Sequence, residues 1–194
     1  MLRPGSNYVH AHVLFLGICN ALLLSPGYMH FSSVFAQPTA GQFKGYKEQY
    51  GRFSIPVPTD WNIDSPSIRQ NSVAESFEPK NGDDFLLTIV ARDRHSIVGQ
   101  NEFEQIIRDE NTALSSELPG ARLIQDTDCT KYVIDGNKAC SVIFSVTRNQ
   151  YTQKEMDIDF QSAKQGVSIS LTGSNKGFQY LPIVNHMLNS MTVS

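Results

Sequence analysis

The stretch Tyr50–Trp61 constrains the fold of this chain more than any other part of the sequence. Phe53, Ile55 and Val57 alternate with more polar neighbours, and this period of two is typical of a strand with one buried face. Pro58 has no N–H to donate, so it predicts the end of the strand, and the only tryptophan follows where its ring can cover the end of a core. The stretch therefore predicts the opening of a compact domain.

The same residues resemble the start of the PsbP-like domain. The resemblance lies in an aromatic residue and Gly51, then Phe53-Ser54-Ile55, then Pro58-Thr59-Asp60-Trp61, and the order of later elements extends it over residues 43–193. It implies an α/β/α sandwich, and an accessory, assembly or adaptor role. No position matches the residues through which PsbP engages photosystem II, so a photosynthetic role is not implied. Ran binding, known for the Mog-type members, is not implied either, because we expect this chain to be exported.

The first residues predict export. Val13–Leu24 is an apolar run of signal-peptide length, and Val34-Phe35-Ala36 places small residues before Gln37. We therefore predict a signal peptide over 1–36, a flexible lead-in over 37–45 and the PsbP-like domain over 46–194. The alternative is a retained N-terminal anchor. Either way, the sequence predicts an extracytoplasmic protein, secreted or anchored on the outer side of the cytoplasmic membrane.

Length and charge limit the function. A chain of 194 residues has room for one core, and its formal net charge is −3 without a basic block. Nucleic-acid binding needs clustered Lys and Arg to neutralise phosphates, so we exclude it. Peripheral membrane association and the oligomeric state stay open.

The first half of the domain is predicted to be mainly strands. Asn62–Gln70 is polar and contains a proline, so we expect a loop, and Val73–Phe77 is predicted as a strand. Pro79–Asp84 contains Asn-Gly, which is typical of a tight turn. Phe85–Ala91 is nearly all apolar, which favours a central strand buried on both faces.

Two amphipathic helices are predicted. The first runs from Glu102 to Leu118 with Asn101 as its cap, and the second spans Gln179–Met191. A meander of four strands lies between them: Lys131–Ile134, Ala139–Thr147, Gln153–Ser162 and Val167–Thr172. The fold class is therefore α+β, a mainly antiparallel sheet flanked by two helices. The simplest packing puts the helices on opposite faces, although the pattern also allows both on one face.

Two cysteines follow the predicted signal peptide, Cys129 and Cys140. A two-residue turn at Asp135-Gly136 would make them diagonal neighbours on one face, slightly too far apart for a bond unless a bulge intervenes. A three-residue loop would place them on opposite faces. The expected export favours a disulfide, and the spacing is not the Cys-X-X-Cys of thiol catalysis.

Three acids share one face of a predicted strand: Glu155, Asp157 and Asp159. They alternate with apolar residues, so we expect a solvated sheet face opposite cations such as Arg148. A hard-cation site is the alternative, with further oxygens from nearby acids, but side chains two apart on a strand stand roughly 7 Å apart. The acids closest in sequence are Asp126, Asp128 and Asp135.

Histidines and aromatic residues carry no catalytic motif. His95 and His186 belong to no ligand pattern, and the sequence has no Gly-X-Ser-X-Gly elbow and no phosphate-binding loop. Core packing is the expected role of the aromatic residues, with a pocket or docking groove between the first loop and the last helix as the alternative. These aromatic residues are Tyr46, Tyr50, Phe53, Trp61, Phe178 and Tyr180.

The sequence thus favours an exported, non-catalytic domain that binds another extracytoplasmic or membrane protein, with no cofactor, metal or catalytic site. One alternative is a carrier of a small ligand or lipid, and another is a hydrolase or metal-dependent enzyme built on the acidic strand. The carrier hypothesis predicts an apolar cavity between the sheet and one helix, lined by Phe85, Leu87, Phe103, Ile107 and Met187.

Overall fold

The structure is a computed structural model that describes residues 42–69, 71–94, 97–117, 119–148 and 151–194. The predicted signal peptide, the polar residues that follow it as far as residue 41, and His95 lie outside the described residues. Helices in the described ranges are all too short or too polar to cross a membrane.

The described residues form eleven strands and two helices. The strands are β1 (Phe43–Lys47), β2 (Phe53–Pro58), β3 (Trp61–Ile63), β4 (Ser67–Arg69), β5 (Ser72–Pro79), β6 (Phe85–Asp93), β7 (Ala121–Ile134), β8 (Asn137–Arg148), β9 (Tyr151–Gln161), β10 (Gln165–Gly173) and β11 (Thr192–Val193). Helix α1 spans Gln100–Glu117 and helix α2 spans Leu181–Asn189, directly after a 3₁₀ turn at Gly177–Tyr180.

Two sheets organise these strands. The large sheet has the order β3-β5-β6-β10-β9-β8-β7, with β4 pairing to β5, and the small sheet has the order β1-β2-β11. All pairs between neighbours are antiparallel. The strand predicted within Tyr50–Trp61, β2, is therefore the centre of a separate small sheet. Strand β1 includes residues 43–45 of the predicted lead-in.

The main core lies on one face of the large sheet. Leu87, Ile158 and Ile169 on that face are fully buried against Ile55 of β2 and Met187 of α2. Alternation along β2 explains the contact, because Phe53, Ile55 and Val57 point inward while Ser54 and Pro56 are partly exposed. The small sheet and α2 together form the layer that covers this face.

Helix α1 packs on the opposite face. Phe103 and Ile107 contact Cys129 and Cys140, and Leu114 packs against a second group on β8 that includes Phe144. The side chains of Cys140 and Phe144 point away from those of Ala139, which belongs to the main core. The two helices therefore lie on opposite faces, and the predicted α+β class with a mainly antiparallel sheet is confirmed.

Several local predictions were wrong. Asn62–Gln70 is not all loop, because two short strands, β3 and β4, pair with β5 on either side of Pro66. Asn101 does not cap α1, since the helix begins at Gln100 and the Phe103 N–H donates to the Gly99 carbonyl. On β6 one face is fully buried, while Leu86 and Val90 on the other face are only partly buried.

Candidate functional site

A cleft of about 310 Å³ lies where β1, β2 and α2 meet. The alternation of side chains along β2 points Ser54 and Pro56 outward. At Gly45 on β1, no atom lies within 4 Å of the position that a Cβ would take. On the helix side, the ring of exposed His186 lies 4.7 Å from the ring of Phe43. The residues that line the cleft are Gly45, Tyr46, Ser54, Ile55, Pro56, His186 and Ser190.

The sequence allowed a groove between the first loop and the last helix, but this cleft lies between the last helix and the strands β1 and β2. Of the aromatic residues considered for that groove, only Tyr46 lines the cleft. Phe53, Trp61 and Tyr180 are buried in the main core, and Phe178 packs against that core. Tyr50 is 58% exposed in the turn after β1.

A buried carboxyl group lies on the inner side of Tyr46. The Tyr46 hydroxyl donates to Glu75 Oε1 at 2.7 Å, and its ring packs edge-on against Phe77 with centroids 5.5 Å apart. Glu75 is 1% exposed because it occupies the inward phase of β5, between Val73 and Phe77. Its second oxygen, Oε2, has no hydrogen-bond partner in the described part of the chain.

A second buried acid, Glu48, lies next to this pair and is fully partnered. Its two carboxylate oxygens accept the backbone N–H groups of Tyr50 (2.8 Å) and Arg52 (3.0 Å), which closes the turn between β1 and β2. Gly51 in this turn has φ +72°, a conformation that favours glycine. Glu48 is also 1% exposed, so the turn holds a carboxylate beneath the end of β1.

These contacts set the chemistry of Glu75. Burial raises its pKa, the Tyr46 hydrogen bond opposes that rise, and the negative charge of Glu48 adds to it. Burial also raises the pKa of Tyr46, and its hydrogen bond to Glu75 adds to that rise. The interior therefore disfavours the ionised form of Glu75, whose partner Tyr46 also lines the cleft.

A second tyrosine–acid pair lies at the β5–β6 turn. The Tyr180 hydroxyl donates to Asp83 Oδ2 at 2.6 Å, and Asn81 and Lys176 also donate to this carboxylate. Burial alone would raise the pKa of Asp83, but the three hydrogen bonds outweigh it and lower the pKa. Burial and the bond to Asp83 raise the pKa of Tyr180 to about 12.

The cysteine pair is joined by a disulfide within a β-bulge. Ile134 faces Asn137 as predicted from the two-residue turn, in which Asp135 and Gly136 have positive φ. Between Tyr132, which pairs with Ala139, and Asp128, which pairs with Ser141, the register shifts, so that three residues of β7 lie opposite Cys140. The Cα atoms of Cys129 and Cys140 are 3.8 Å apart. The Asp128 carboxylate accepts the N–H and the hydroxyl of Thr130, which shapes this bulge.

The acids of β9 are not a solvated face. Asp157 is 6% and Asp159 is 5% exposed, because their side chains share the face on which α1 packs. In the strand register Arg148 pairs with Tyr151, whereas Asp157 pairs with Val142 and Asp159 with Cys140, so Arg148 is not the cross-strand partner of these acids. Burial raises the pKa of Asp157 well above its ordinary value, and the charges of Glu155 and Asp159 add to the rise.

The residues named for the other two hypotheses do not assemble into one site. Phe85, Leu87 and Met187 belong to the main core, whereas Phe103 and Ile107 pack on the opposite face of the large sheet. The cavity that the carrier hypothesis predicted is therefore not formed by these five residues. In the described ranges, no group of three His, Cys, Asp or Glu side chains is placed to hold a metal ion.

Comparison with solved structures shows the PsbP-like fold. The solution structure of cyanobacterial PsbP (CyanoP) from Synechocystis sp. PCC 6803 matches with a TM-score of 0.58 and 11% identity, covering 83% of this chain and 99% of that chain. LpqN of Mycobacterium tuberculosis, described as involved in cell envelope biogenesis, matches with a TM-score of 0.53 and 13% identity, covering 79% and 91%.

The fold also occurs in a eukaryotic protein. The Ran-binding protein Mog1p of Saccharomyces cerevisiae matches with a TM-score of 0.52 and 10% identity, covering 78% of this chain and 95% of that chain. No protein-family model matches this sequence, and no curated protein matches it in sequence. At identities this low, the likeness establishes the fold and leaves the partner and ligand to other arguments.

Proposed function

We propose that this chain, which has the PsbP-like fold, is an exported, non-catalytic accessory or binding subunit of an extracytoplasmic or membrane-associated protein assembly. The observation that carries the proposal is the fold match over nearly the whole length of CyanoP and LpqN. Mog1p, which is named as a Ran-binding protein, is an instance of the same fold used to bind a partner protein.

The disulfide supports the extracytoplasmic part of the proposal. Disulfides persist in oxidising compartments and are rare in the cytosol. Cys129 and Cys140 are both at most 5% exposed and lie at the centre of the contact between α1 and the large sheet. A stable bond at this position fits a protein that folds after export, in agreement with the predicted signal peptide.

We propose the cleft as the surface that binds the partner. It is concave and combines an apolar floor with the polar groups of His186 and Ser190 at its helix side. Gly45 is exposed and no atom lies within 4 Å of the position that a Cβ would take, so we expect a large side chain here to occupy the cleft. A protein partner that inserts a side chain into the cleft would be sterically blocked from binding to such a variant.

The experiment is crosslinking and affinity purification of the tagged full-length protein from its native cells, with mass spectrometry of the co-purifying proteins and of the mature N-terminus. We expect one stoichiometric extracytoplasmic or membrane protein and an N-terminus near Gln37. Gly45→Trp should weaken recovery of that partner by at least about tenfold, the loss of roughly 1.4 kcal/mol of binding free energy.

Gly99→Trp is the matched control, because Gly99 is also exposed with no atom within 4 Å of its Cβ position and lies far along the chain, before α1. It should leave recovery unchanged. A monomer that crosslinks to nothing, or a cytoplasmic partner recovered with an unprocessed N-terminus, would contradict the proposal. Equal losses in the two glycine variants would exclude the cleft as the binding surface.

A further inference from the structure

The turn after β1 and the strand β5 each place a carboxyl group in the interior, and the two groups have different numbers of hydrogen-bond donors. Glu48 and Glu75 are each 1% exposed. Glu48 has two backbone N–H donors, whereas Glu75 has one donor, Tyr46, and its Oε2 has no hydrogen-bond partner among the described residues. An ionised oxygen buried without a donor is costly, so the interior disfavours a charge on Glu75.

The strand that covers Glu75 is the more easily moved of its neighbours. Within the described ranges β1 pairs only with β2, so it is an edge strand, and its five residues are exposed or only partly buried. Strand β5, in contrast, pairs with β6 on one side and with β3 and β4 on the other. Water therefore reaches Glu75 at lower cost by displacement of β1 than by opening of the large sheet.

We propose that Tyr46 and Glu75 form a pH-sensitive clasp, in which neutral Glu75 holds β1 against the large sheet and ionised Glu75 releases it. When Glu75 loses its proton to solvent, Tyr46 still donates to Oε1, but Oε2 then carries charge without a donor and beside Glu48. Movement of β1 hydrates this charge at the expense of the Tyr46–Glu75 hydrogen bond and the Tyr46–Phe77 ring contact.

The groups around Glu75 act on its pKa in both directions: burial and the charge of Glu48 raise it, and the Tyr46 hydrogen bond lowers it by less. From β1 and its turn they are Tyr46 and Glu48, and from β6 the opposite residue is Ile89. Arg69 of β4 is exposed and lies opposite Ser72. Arg52 is bound elsewhere, by Asp93 at 2.8 Å and by the Ala91 carbonyl.

The sign of the effect follows from the raised pKa of Glu75. A group that is harder to ionise in the folded, closed state stabilises that state below its unfolded pKa of about 4.5, and this stabilisation is lost as pH rises through the folded pKa. Release of β1 is therefore favoured as pH rises. Because Gly45 and Tyr46 of β1 line the cleft, the clasp also controls the shape of the cleft.

The test is amide hydrogen exchange of Phe43–Lys47 in the full chain, measured by NMR from about pH 5 to about pH 8 and divided by the intrinsic exchange rate at each pH. We expect the corrected opening of β1 to increase between the unfolded pKa of about 4.5 and the raised folded pKa of Glu75, by at most roughly tenfold for each pH unit. It should reach half of its final value at the folded pKa and level off above it. The increase should have the same midpoint as the carboxyl ¹³C shift of Glu75, which is read from the same wild-type sample.

Two variants separate the clasp from general loosening of the fold. Glu75→Gln keeps an oxygen acceptor for Tyr46 and cannot ionise, so its corrected β1 exchange should not depend on pH. Glu78→Gln changes a partly exposed acid of the same strand and should behave as the wild type does. A midpoint in the wild type that differs from the Glu75 titration, or an unchanged pH dependence in Glu75→Gln, would overturn the proposal.

Discussion

The two tyrosine–acid pairs of this protein use the same hydrogen bond with opposite results. Tyr180 donates to Asp83 at 2.6 Å and Tyr46 donates to Glu75 at 2.7 Å. Asp83 receives further donors from Asn81 and Lys176, and its pKa is lowered, whereas Glu75 has an oxygen without a donor and its pKa is raised. The number of donors around the carboxyl group, more than the tyrosine itself, therefore decides which form of the acid the fold stabilises.

The surroundings of the two pairs also differ in how tightly they are packed. The Asp83 pair lies in a corner where Gly173 and Gly177 approach the Asp84 carbonyl closely and where Trp61, Phe85 and Tyr180 pack ring against ring. The Glu75 pair is covered by an edge strand next to a cleft. Asp83, whose two carboxylate oxygens both have donors, lies in the tightly packed corner. Glu75, with one oxygen that lacks a donor, lies beneath the edge strand β1.

The largest effect should come from breaking the fixed corner. A Cβ at Gly177 would lie 2.1 Å from the Asp84 carbonyl oxygen, so Gly177→Ala forces the 3₁₀ turn away from the β5–β6 turn. We expect a loss of about 3 kcal/mol in the free energy of unfolding, measured by urea denaturation. Gly99→Ala, where no atom lies within 4 Å, should change it by less than about 0.5 kcal/mol.

The next effect should come from removal of the charge of Asp83. Its lowered pKa means that the stabilisation is present above the unfolded value of 3.8 and is lost as pH falls through the folded pKa. Asp83→Asn should therefore cost roughly 1.5–3 kcal/mol at neutral pH and nothing at strongly acid pH. Urea denaturation across pH checks this, and a cost that stays constant at all pH values would show that the charge is not involved.

Glu75→Gln should have the opposite pH dependence and the opposite sign. Since the wild type loses stability as pH rises through the raised pKa of Glu75, the variant should become the more stable protein there, by about 1 kcal/mol for a shift of one pKa unit. Thermal unfolding of both proteins from acid to alkaline pH measures the difference. If Glu75→Gln is less stable than the wild type at alkaline pH, Glu75 is not held neutral.

The smallest effect should come from Tyr46→Phe. Loss of the hydroxyl leaves Glu75 Oε1 without its donor and should cost about 0.5 kcal/mol, at the low end for one hydrogen bond, with the pKa of Glu75 raised further. Tyr50→Phe is a matched control, because Tyr50 is 58% exposed in the turn that follows the same strand. Equal unfolding free energies for the two variants would mean that the hydrogen bond contributes nothing.

The sequence predicted the parts of this structure that depend on local pattern. The Asp135-Gly136 turn and the pairing of Ile134 with Asn137 follow from residues that accept positive φ. The fold class and the strand-rich middle follow from hydrophobic periodicity, whereas that pattern also allowed both helices on one face of the sheet. The bulge at Cys129 could not be predicted, because alternation counts residues on one strand and does not show where the partner strand skips.

The candidate site was missed for a different reason, although one signal was present. Glu75 occupies the apolar phase of its strand between Val73 and Phe77, and a charged residue at an inward position indicates a buried acid. Its partner Tyr46 lies 29 residues away in another sheet, which no local pattern reveals. Asp157 and Asp159 were wrongly predicted to be solvated because only the three-dimensional packing shows that α1 covers their face.

The most direct measurement is a ¹³C NMR titration of the side-chain carboxyl groups of Glu75 and Asp83 in one sample of the folded protein. We expect Glu75 to titrate above the usual range of glutamate and Asp83 to titrate below the usual range of aspartate. A Glu75 that titrates at or below its ordinary value would contradict the account, as would two pKa values that are shifted in the same direction.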